Sequence, residues 1–356
     1  MKLTILQPHI PHYREEFFAK LSDKFSCRIF CYNQSEDVAQ QNFKESNIKT
    51  NFLKSFSFGS LFFYNPVPFL KNNSETMVLM IDFKHITTWF LLLTKFIHRK
   101  KIILWGQGIS IPRFLKDEKK TLLPVKWLLS LADGVWFYTE NELQIWKKRL
   151  PKLNAVSLNN TIGNIDKILN ISAISLSEKQ QLKEKYGISQ EIVFIYCARF
   201  TADRRIDLML KAIENLDTEK FGFIIIGAGN DKPDFSAYKN VYDFGSVYDF
   251  STKTEIFQCA DIYFQPAWVG LSIVEAMAYG KPIFTFKRTD KVLQCVEYHY
   301  INNNFNGKIF VNTSDFTAFF DNFNELEIKT LSQNAKDFVQ KNLSMQNMAE
   351  KAISIL

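Results

Sequence analysis

The sequence predicts an α/β protein built from two Rossmann-like domains, each with a parallel sheet. Three observations carry that expectation. Short apolar runs alternate with helical patterns from end to end, the signature of parallel strands joined by helices. At 356 residues the chain is long for one core. A polar, turn-rich stretch, Asn159-Asn-Thr-Ile-Gly-Asn164, separates two such runs and reads as a linker.

The first half carries strand patterns at Leu3–Gln7, Cys27–Tyr32, Met77–Ile81, Ile102–Trp105, Gly134–Phe137 and Ala155–Leu158. Helical patterns lie between them at Arg14–Leu21, Ile86–His98, Leu122–Ala132 and Glu140–Leu150, and Gly134 follows Ala132-Asp133 as a helix-ending glycine should. The second half repeats the scheme with Ile192–Cys197, Phe221–Ile226, Val241–Phe244, Ile262–Phe264 and Ile283–Phe286. Helical patterns close the sequence at Asp315–Phe323, Leu331–Gln340 and Met345–Leu356. The expected organisation is a domain over 1–160, a second over 161–340, and a terminal helix over 341–356 that packs back on the first. Ligands are expected in a cleft between the domains.

Bulk properties narrow the function. Apolar residues make up 46%, ample for a buried core, and 34 phenylalanines are expected mainly to fill it. The net charge of +7 is uneven: residues 1–170 hold 24 Lys and Arg against 14 Asp and Glu, whereas the remainder holds 20 against 23. Five cysteines, Cys27, Cys31, Cys197, Cys259 and Cys295, form no Cys-x-x-Cys pair and read as reduced thiols rather than metal ligands. Met1 leads directly into a strand, so no signal peptide is expected. The apolar run Ile86–Ile97 is interrupted by Lys95 and falls short of the roughly 20 residues of a membrane span.

The densest chemistry lies in Phe264-Gln-Pro-Ala-Trp-Val-Gly-Leu-Ser-Ile-Val-Glu-Ala-Met-Ala-Tyr-Gly-Lys-Pro282. A strand ends at Pro266, a turn forms around Gly270, and a helix follows with Glu275 about one turn in. Backbone N–H groups at such a turn suit an anion. Glu275, set further along, suits neutral hydroxyls such as those of a ribose. The arrangement suggests a nucleoside-diphosphate site. Upstream, Tyr196-Cys-Ala-Arg-Phe-Thr-Ala-Asp-Arg-Arg-Ile-Asp207 places Arg199 just past a buried strand and Arg204 and Arg205 at the next helix. Guanidinium groups from one loop can grip a diphosphate and neutralise a departing nucleotide. The same residues also read as an ordinary surface pair, with Arg204 or Arg205 bridging to Asp203 or Asp207. Ile226-Gly-Ala-Gly-Asn230 adds a glycine turn of a kind common in α/β proteins.

Arg199 to Asp207, Gly227 to Gly229, Gly245, and Pro266 to Pro282 stand in an order and spacing that resemble retaining glycosyltransferases of family 4. These are GT-B enzymes using nucleotide-sugar donors. Gln7-Pro-His-Ile-Pro-His-Tyr-Arg14, Leu104-Trp-Gly-Gln-Gly108, Phe137-Tyr-Thr-Glu140 and Asn159-Asn-Thr161 extend the likeness toward bacterial polysaccharide, O-antigen and capsule enzymes. The resemblance implies that Arg199 and Arg204 act on the donor diphosphate and that Glu275 accepts from the ribose. Arg205, Gly229, Gly270, Leu271 and Ser272 would line the donor site, and Val247 would border the base. It implies a UDP-sugar as the expected donor, with no metal and no cofactor. Three departures stand out. Ala267 replaces the carboxylate that relatives carry eight residues before Glu275, Pro8 to His12 replaces a glycine pair, and Gln107 replaces a histidine.

His9 and His12 sit on the first strand-to-helix loop, where the sheet edge meets ligands. With Gln107 they are the candidates for acceptor or sugar contact; a turn histidine pinned by prolines is the plainer reading. Between Trp89 and Trp127 basic and aromatic residues interleave, with only Asp117 and Glu118 opposing nine cations. Such a surface can rest on an anionic bilayer, or can simply be a solvated face over core aromatics. Nucleic acid is not expected, since no recognition fold accompanies the charge. The expected activity is transfer of a sugar from a nucleotide donor to a glycan, with a lipid-linked acceptor expected, at the inner face of the cytoplasmic membrane in cell-surface polysaccharide synthesis. A nucleotide-sugar epimerase or phosphorylase, and a non-catalytic nucleotide-sugar-binding protein, are the alternatives.

Overall fold

The computed structural model describes residues 1–33, 46–71, 73–321 and 323–356. Asn322, within the expected helix Asp315–Phe323, lies outside them. The chain divides into two compact units, one formed by Met1–Asn164 with Ser344–Leu356 and the other by Ile165–Leu343.

The first unit contains β1 (Lys2–Gln7), β2 (Ser26–Cys31), β3 (Asn51–Phe52), β4 (Ser55–Phe58), β5 (Leu61–Tyr64), β6 (Thr76–Met80), β7 (Lys101–Gly106), β8 (Gly134–Phe137) and β9 (Ala155–Ser157). Seven of these form one parallel sheet in the order β3-β2-β1-β6-β7-β8-β9, and β4 pairs with β5 as a separate antiparallel hairpin. Alternate side chains along each strand go to opposite faces. Leu3, Ile5, Val78, Ile103, Trp105 and Trp136 fill one core with the helix Glu15–Lys24. Leu6, Met77, Leu79, Ile102, Leu104, Val135 and Phe137 fill the other with the helices Ile86–Leu93 and Leu123–Leu131. Both faces are therefore covered, as parallel sheets require.

The helix Met345–Ile353 belongs to this first unit. Its Met345, Met348, Ala349 and Ala352 enter the core beside Phe17 and Trp136, and the Trp136 indole donates to the Ala352 carbonyl at 3.1 Å. The single helix expected over Ile86–His98 is divided at Thr94, whose hydroxyl bonds back to the Phe90 carbonyl at 2.7 Å. Arg99 then closes the second piece in the left-handed region, at φ 55°.

The second unit contains β10 (Ile192–Cys197), β11 (Phe221–Ile226), β12 (Val241–Asp243), β13 (Ile262–Phe264), β14 (Ile283–Phe286) and β15 (Gly307–Phe310), paired in parallel in the order β12-β11-β10-β13-β14-β15. Its core is built on phenylalanine. Phe194 stacks on Phe223 at 4.8 Å, and Phe264, Phe284, Phe286, Phe310, Phe316 and Phe320 close around them. Aromatic pairs of this kind add about 0.5–1.5 kcal/mol beyond the area they bury.

The dependence of the first unit on its distant helix is measurable. Met348→Ala removes a fully buried side chain and is expected to cost about 2–4 kcal/mol, read as an earlier melt of the first unit in denaturant. An unchanged transition would show that the helix contributes nothing to that core.

Candidate active site

In the second unit the strand order turns at β10, with β11 and β12 to one side and β13 to β15 to the other. Loops leaving β10 and β13 therefore diverge at a topological switch point, where open parallel sheets bind ligands. The β10 loop carries Arg199 and Arg204. The β13 loop runs from Gln265 to Leu271 and enters the helix Ser272–Ala278.

Two fully buried glutamines hold the β13 loop. Gln265 donates to the carbonyls of Ala267 at 2.9 Å and Trp268 at 2.7 Å, and its oxygen accepts from the Tyr263 and Ser272 hydroxyls at 2.8 and 3.0 Å. Gln294 accepts from the Val269 N–H at 2.9 Å and donates to the Phe286 carbonyl at 2.8 Å and the Thr285 hydroxyl at 3.1 Å. Between these grips Trp268 sits at φ 54°, a conformation costing a non-glycine residue about 1–2 kcal/mol. Its N–H bonds to Leu293 at 2.7 Å and its carbonyl also accepts from Arg204 at 3.2 Å. The segment after β14 is pinned in turn by Arg288, which donates to the Gln294 and Cys295 carbonyls at 3.1 and 2.8 Å and to His299 Nε2 at 3.0 Å.

Arg204 is half-buried and joins no ion pair among the described residues; it lies close enough to Tyr196 and Tyr263 for its charge to act on both. Arg199 is exposed on the same loop, whose backbone is held by Tyr196 Oη donating to the Arg199 carbonyl at 2.9 Å. Arg205 is placed differently. At φ 53° it caps the helix Ile206–Asn215 and grips Asp207 through two bonds of 2.8 and 2.7 Å, with a third to the Lys291 carbonyl. Of the two arginines, Arg205 makes the carboxylate pairing that the sequence allowed for either.

Glu275 is about one-fifth exposed and meets Lys253, from the helix Phe250–Cys259, at 2.7 Å through each carboxylate oxygen. Burial alone would lower the Lys253 ammonium, yet Cys197 and Glu275 hold it above its usual value. Burial pushes the Cys197 thiol up to about 11, so the thiol is neutral near pH 7 and Glu275 is the operative partner. Lys253 carries no motif signal; only its position in an otherwise apolar-faced helix sets it apart. Gln265, Gln294 and Arg288 were equally silent.

The remaining donor-side candidates divide. Gly270, Leu271 and Ser272 form the half-buried entry to the seven-residue helix, and Ser272 turns its hydroxyl inward to Gln265. Gly229, at φ 152°, packs so closely that a Cβ would lie 2.1 Å from the Phe200 carbonyl. Its role is to let the two loops touch, with Phe200 N–H bonding to Ala228 at 3.0 Å. Val247 is half-buried beyond Gly245. Ala267 is fully buried in the phenylalanine core, so nothing at that position reaches a ligand.

In the first unit, His9 and Gln107 follow β1 and β7 at one edge of that sheet. His9 is half-buried and its imidazole is lowered by burial. His12 is exposed, its ring edge-on to Tyr13 at 5.7 Å. Gln107 lines a hollow of about 410 Å³ with Asp82, Lys84, Ser110 and Tyr138. Among the described residues no group of three His, Cys, Asp or Glu side chains is placed to hold a metal ion.

Residues 178–343 match the family described as glycosyl transferases group 1. Every donor-side residue above falls within that span. The match spans nearly all of the second unit. The whole chain resembles solved GT-B structures. One is Anabaena Alr3699/HepE in complex with UDP, at TM-score 0.68 and 12% identity over 99% of both chains. Another is a glycosyltransferase from Rickettsia africae, at 0.62 and 16% identity over 99% of this chain and 97% of that one. An E. coli protein bound with UDP-2-fluoro glucose gives 0.61 and 13% identity over 99% and 98%. At these identities the likeness establishes the fold. No curated protein matches the sequence. The glycosyltransferase thus has its matched domain around the switch point of the second sheet.

The loop network has a pH signature. Burial first, and the Arg288 charge second, depress the His299 imidazole from 6.5 to about 4, so the folded protein keeps it neutral as an acceptor for Arg288. Above about pH 6.5 neither state binds the proton and this stability is complete. As pH falls from 6.5 toward 4 the unfolded chain takes up a proton that the folded chain refuses, a loss of up to about 3 kcal/mol. Urea melts of the second unit across that range should show the decline, and His299→Gln should flatten it. A variant with the wild-type slope would contradict the assignment.

Proposed function

We propose that this glycosyltransferase moves a sugar from a nucleoside-diphosphate donor, with a UDP-sugar expected, to a glycan hydroxyl with retention at the anomeric carbon. The observation that carries the reading is Arg204: a half-buried guanidinium that joins no ion pair among the described residues, tied to the Trp268 carbonyl and thus to the turn leading to Glu275. Arg199 on the same loop supplies a second cation. A diphosphate lying across the two loops would meet both arginines, with Gly270 to Ser272 bordering it, Glu275 accepting from the ribose hydroxyls and Val247 beside the base.

The chemistry follows from charge. As the bond from the anomeric carbon to the diphosphate breaks, negative charge grows on the leaving phosphate oxygen, and cations already in place stabilise it without reorganising. The acceptor hydroxyl would attack from the face the diphosphate leaves, passing its proton to the departing oxygen. In this reading the arginines do the work of a divalent ion. UDP or UDP-sugar complexes of structures sharing the fold agree with such a donor.

The acceptor reading draws on the first unit. Phe90, Leu93, Phe96, Ile97, Leu123 and Trp127 are all exposed there. Arg99, Lys116, Lys119 and Lys120 are exposed nearby in sequence. No helix among the described residues is long and apolar enough to cross a membrane. We read this face as resting on an anionic bilayer, each cation near the headgroups contributing about 1 kcal/mol. In this reading the enzyme works at the inner face of the cytoplasmic membrane on a lipid-linked glycan of the cell surface. The hollow around Gln107, with His9 on the same sheet edge, is the proposed acceptor side.

Product analysis with a UDP-sugar panel and lipid-linked acceptors tests the reading. Arg204→Ala and Arg199→Ala should each lower kcat/KM by about 10²–10³-fold, with the fold intact by circular dichroism. Full activity in either would remove that arginine from the diphosphate clamp. Donor conversion without transfer would favour an epimerase, and nucleotide binding without turnover a binding protein.

A further inference from the structure

Lys253, the partner of Glu275, belongs to neither the motif nor the resemblance. Glu275 projects from the helix Ser272–Ala278 and Lys253 from the helix Phe250–Cys259, so two separate elements converge on one contact. Each carboxylate oxygen lies 2.7 Å from the ammonium, and both side chains are about four-fifths buried. The ammonium also lies 5.9 Å from the Phe257 ring, over which Tyr279 stacks at 4.5 Å, and the Tyr279 hydroxyl meets Thr254 at 3.0 Å. Lys253 is thus fixed from several sides.

An ionised carboxylate offers about four acceptor positions. The ammonium, equidistant from both oxygens, takes the inward-facing position of each and leaves the outward-facing one free, so ribose hydroxyls can donate there without displacing it. The cation also cancels the carboxylate charge, which would otherwise repel the diphosphate expected a few ångströms away.

We propose that Lys253 is a positioning residue of the donor site: it fixes and neutralises Glu275 so that the carboxylate reads the vicinal diol of a ribonucleotide and discriminates against a 2′-deoxyribonucleotide. The proposal rests on the ribose role given to Glu275 above. Lys253 itself touches no ligand; it acts through Glu275. The selected donor class is therefore a ribonucleoside-diphosphate sugar.

The test compares UDP with 2′-deoxy-UDP by titration calorimetry on the full chain, for wild type, Lys253→Met, Lys253→Arg, Glu275→Gln and the double variant Lys253→Met/Glu275→Gln. Wild type should prefer UDP by about tenfold or more, the scale of one hydrogen bond to a charged group. Lys253→Met should reduce that preference to within about twofold, Lys253→Arg should restore part of it, and the double variant should bind no worse than Glu275→Gln, as coupled residues do. Should Lys253→Met fail to fold, Lys253→Gln, neutral but polar, takes its place. Wild-type preference in a folded Lys253→Met or Lys253→Gln protein, with Glu275→Gln having lost it, overturns the role of Lys253 alone. Wild-type preference in Glu275→Gln overturns the ribose assignment and this inference with it.

Discussion

The hydrogen bonding of two buried glutamines to the backbone of residues 266–269 is the constraint on which the rest of the site depends. A loop at the end of a central strand exposes several carbonyl and N–H groups, and each one buried without a partner costs about 1–3 kcal/mol. Gln265 and Gln294 satisfy four of them from within the core, the carbonyls of Pro266, Ala267 and Trp268 and the Val269 N–H. That satisfaction lets Trp268 hold a left-handed backbone, and the Trp268 carbonyl gives Arg204 its anchor. Without the clamp these loop groups would lose their partners inside the core.

Charge is arranged on that frame with few redundancies. Arg205 is bound to Asp207, Lys179 to Asp261 and Lys232 to Asp243. Arg204, at the switch point, joins no such pair among the described residues. Glu275 has its own cation, so the half-buried carboxylate adds no net negative charge where a diphosphate is expected. The close packing of Gly227 and Gly229 under the β10 loop keeps these groups in register without any side chain of their own.

Much of this was legible in the sequence because it follows from local rules. The alternation of apolar runs and helical patterns gave both sheets, and most core strands fell within a residue or two of their expected ends. The strands that escaped notice are short or peripheral. β3 has two residues, β15 is a four-residue edge strand, and the hairpin β4–β5 exposes Phe56 and Phe58 instead of alternating them inward. Arg199, Arg204 and Glu275 were visible because a charged residue at a strand or turn end is locally anomalous. Lys253, Gln265, Gln294 and Arg288 were not. Their roles arise from contacts that exist only once the chain has folded, Lys253 reaching Glu275 22 residues on and Gln294 reaching Val269 25 residues back, which no spacing pattern announces. Burial of Ala267 likewise became visible only with the core assembled around it.

The most direct test of the account is a crystal structure of the full chain with UDP. The account predicts the diphosphate in contact with Arg199 and Arg204, both ribose hydroxyls on the Glu275 carboxylate, and the Gln265 and Gln294 contacts unchanged. UDP bound away from Glu275, or a 266–271 loop that releases both glutamines to receive it, would contradict it.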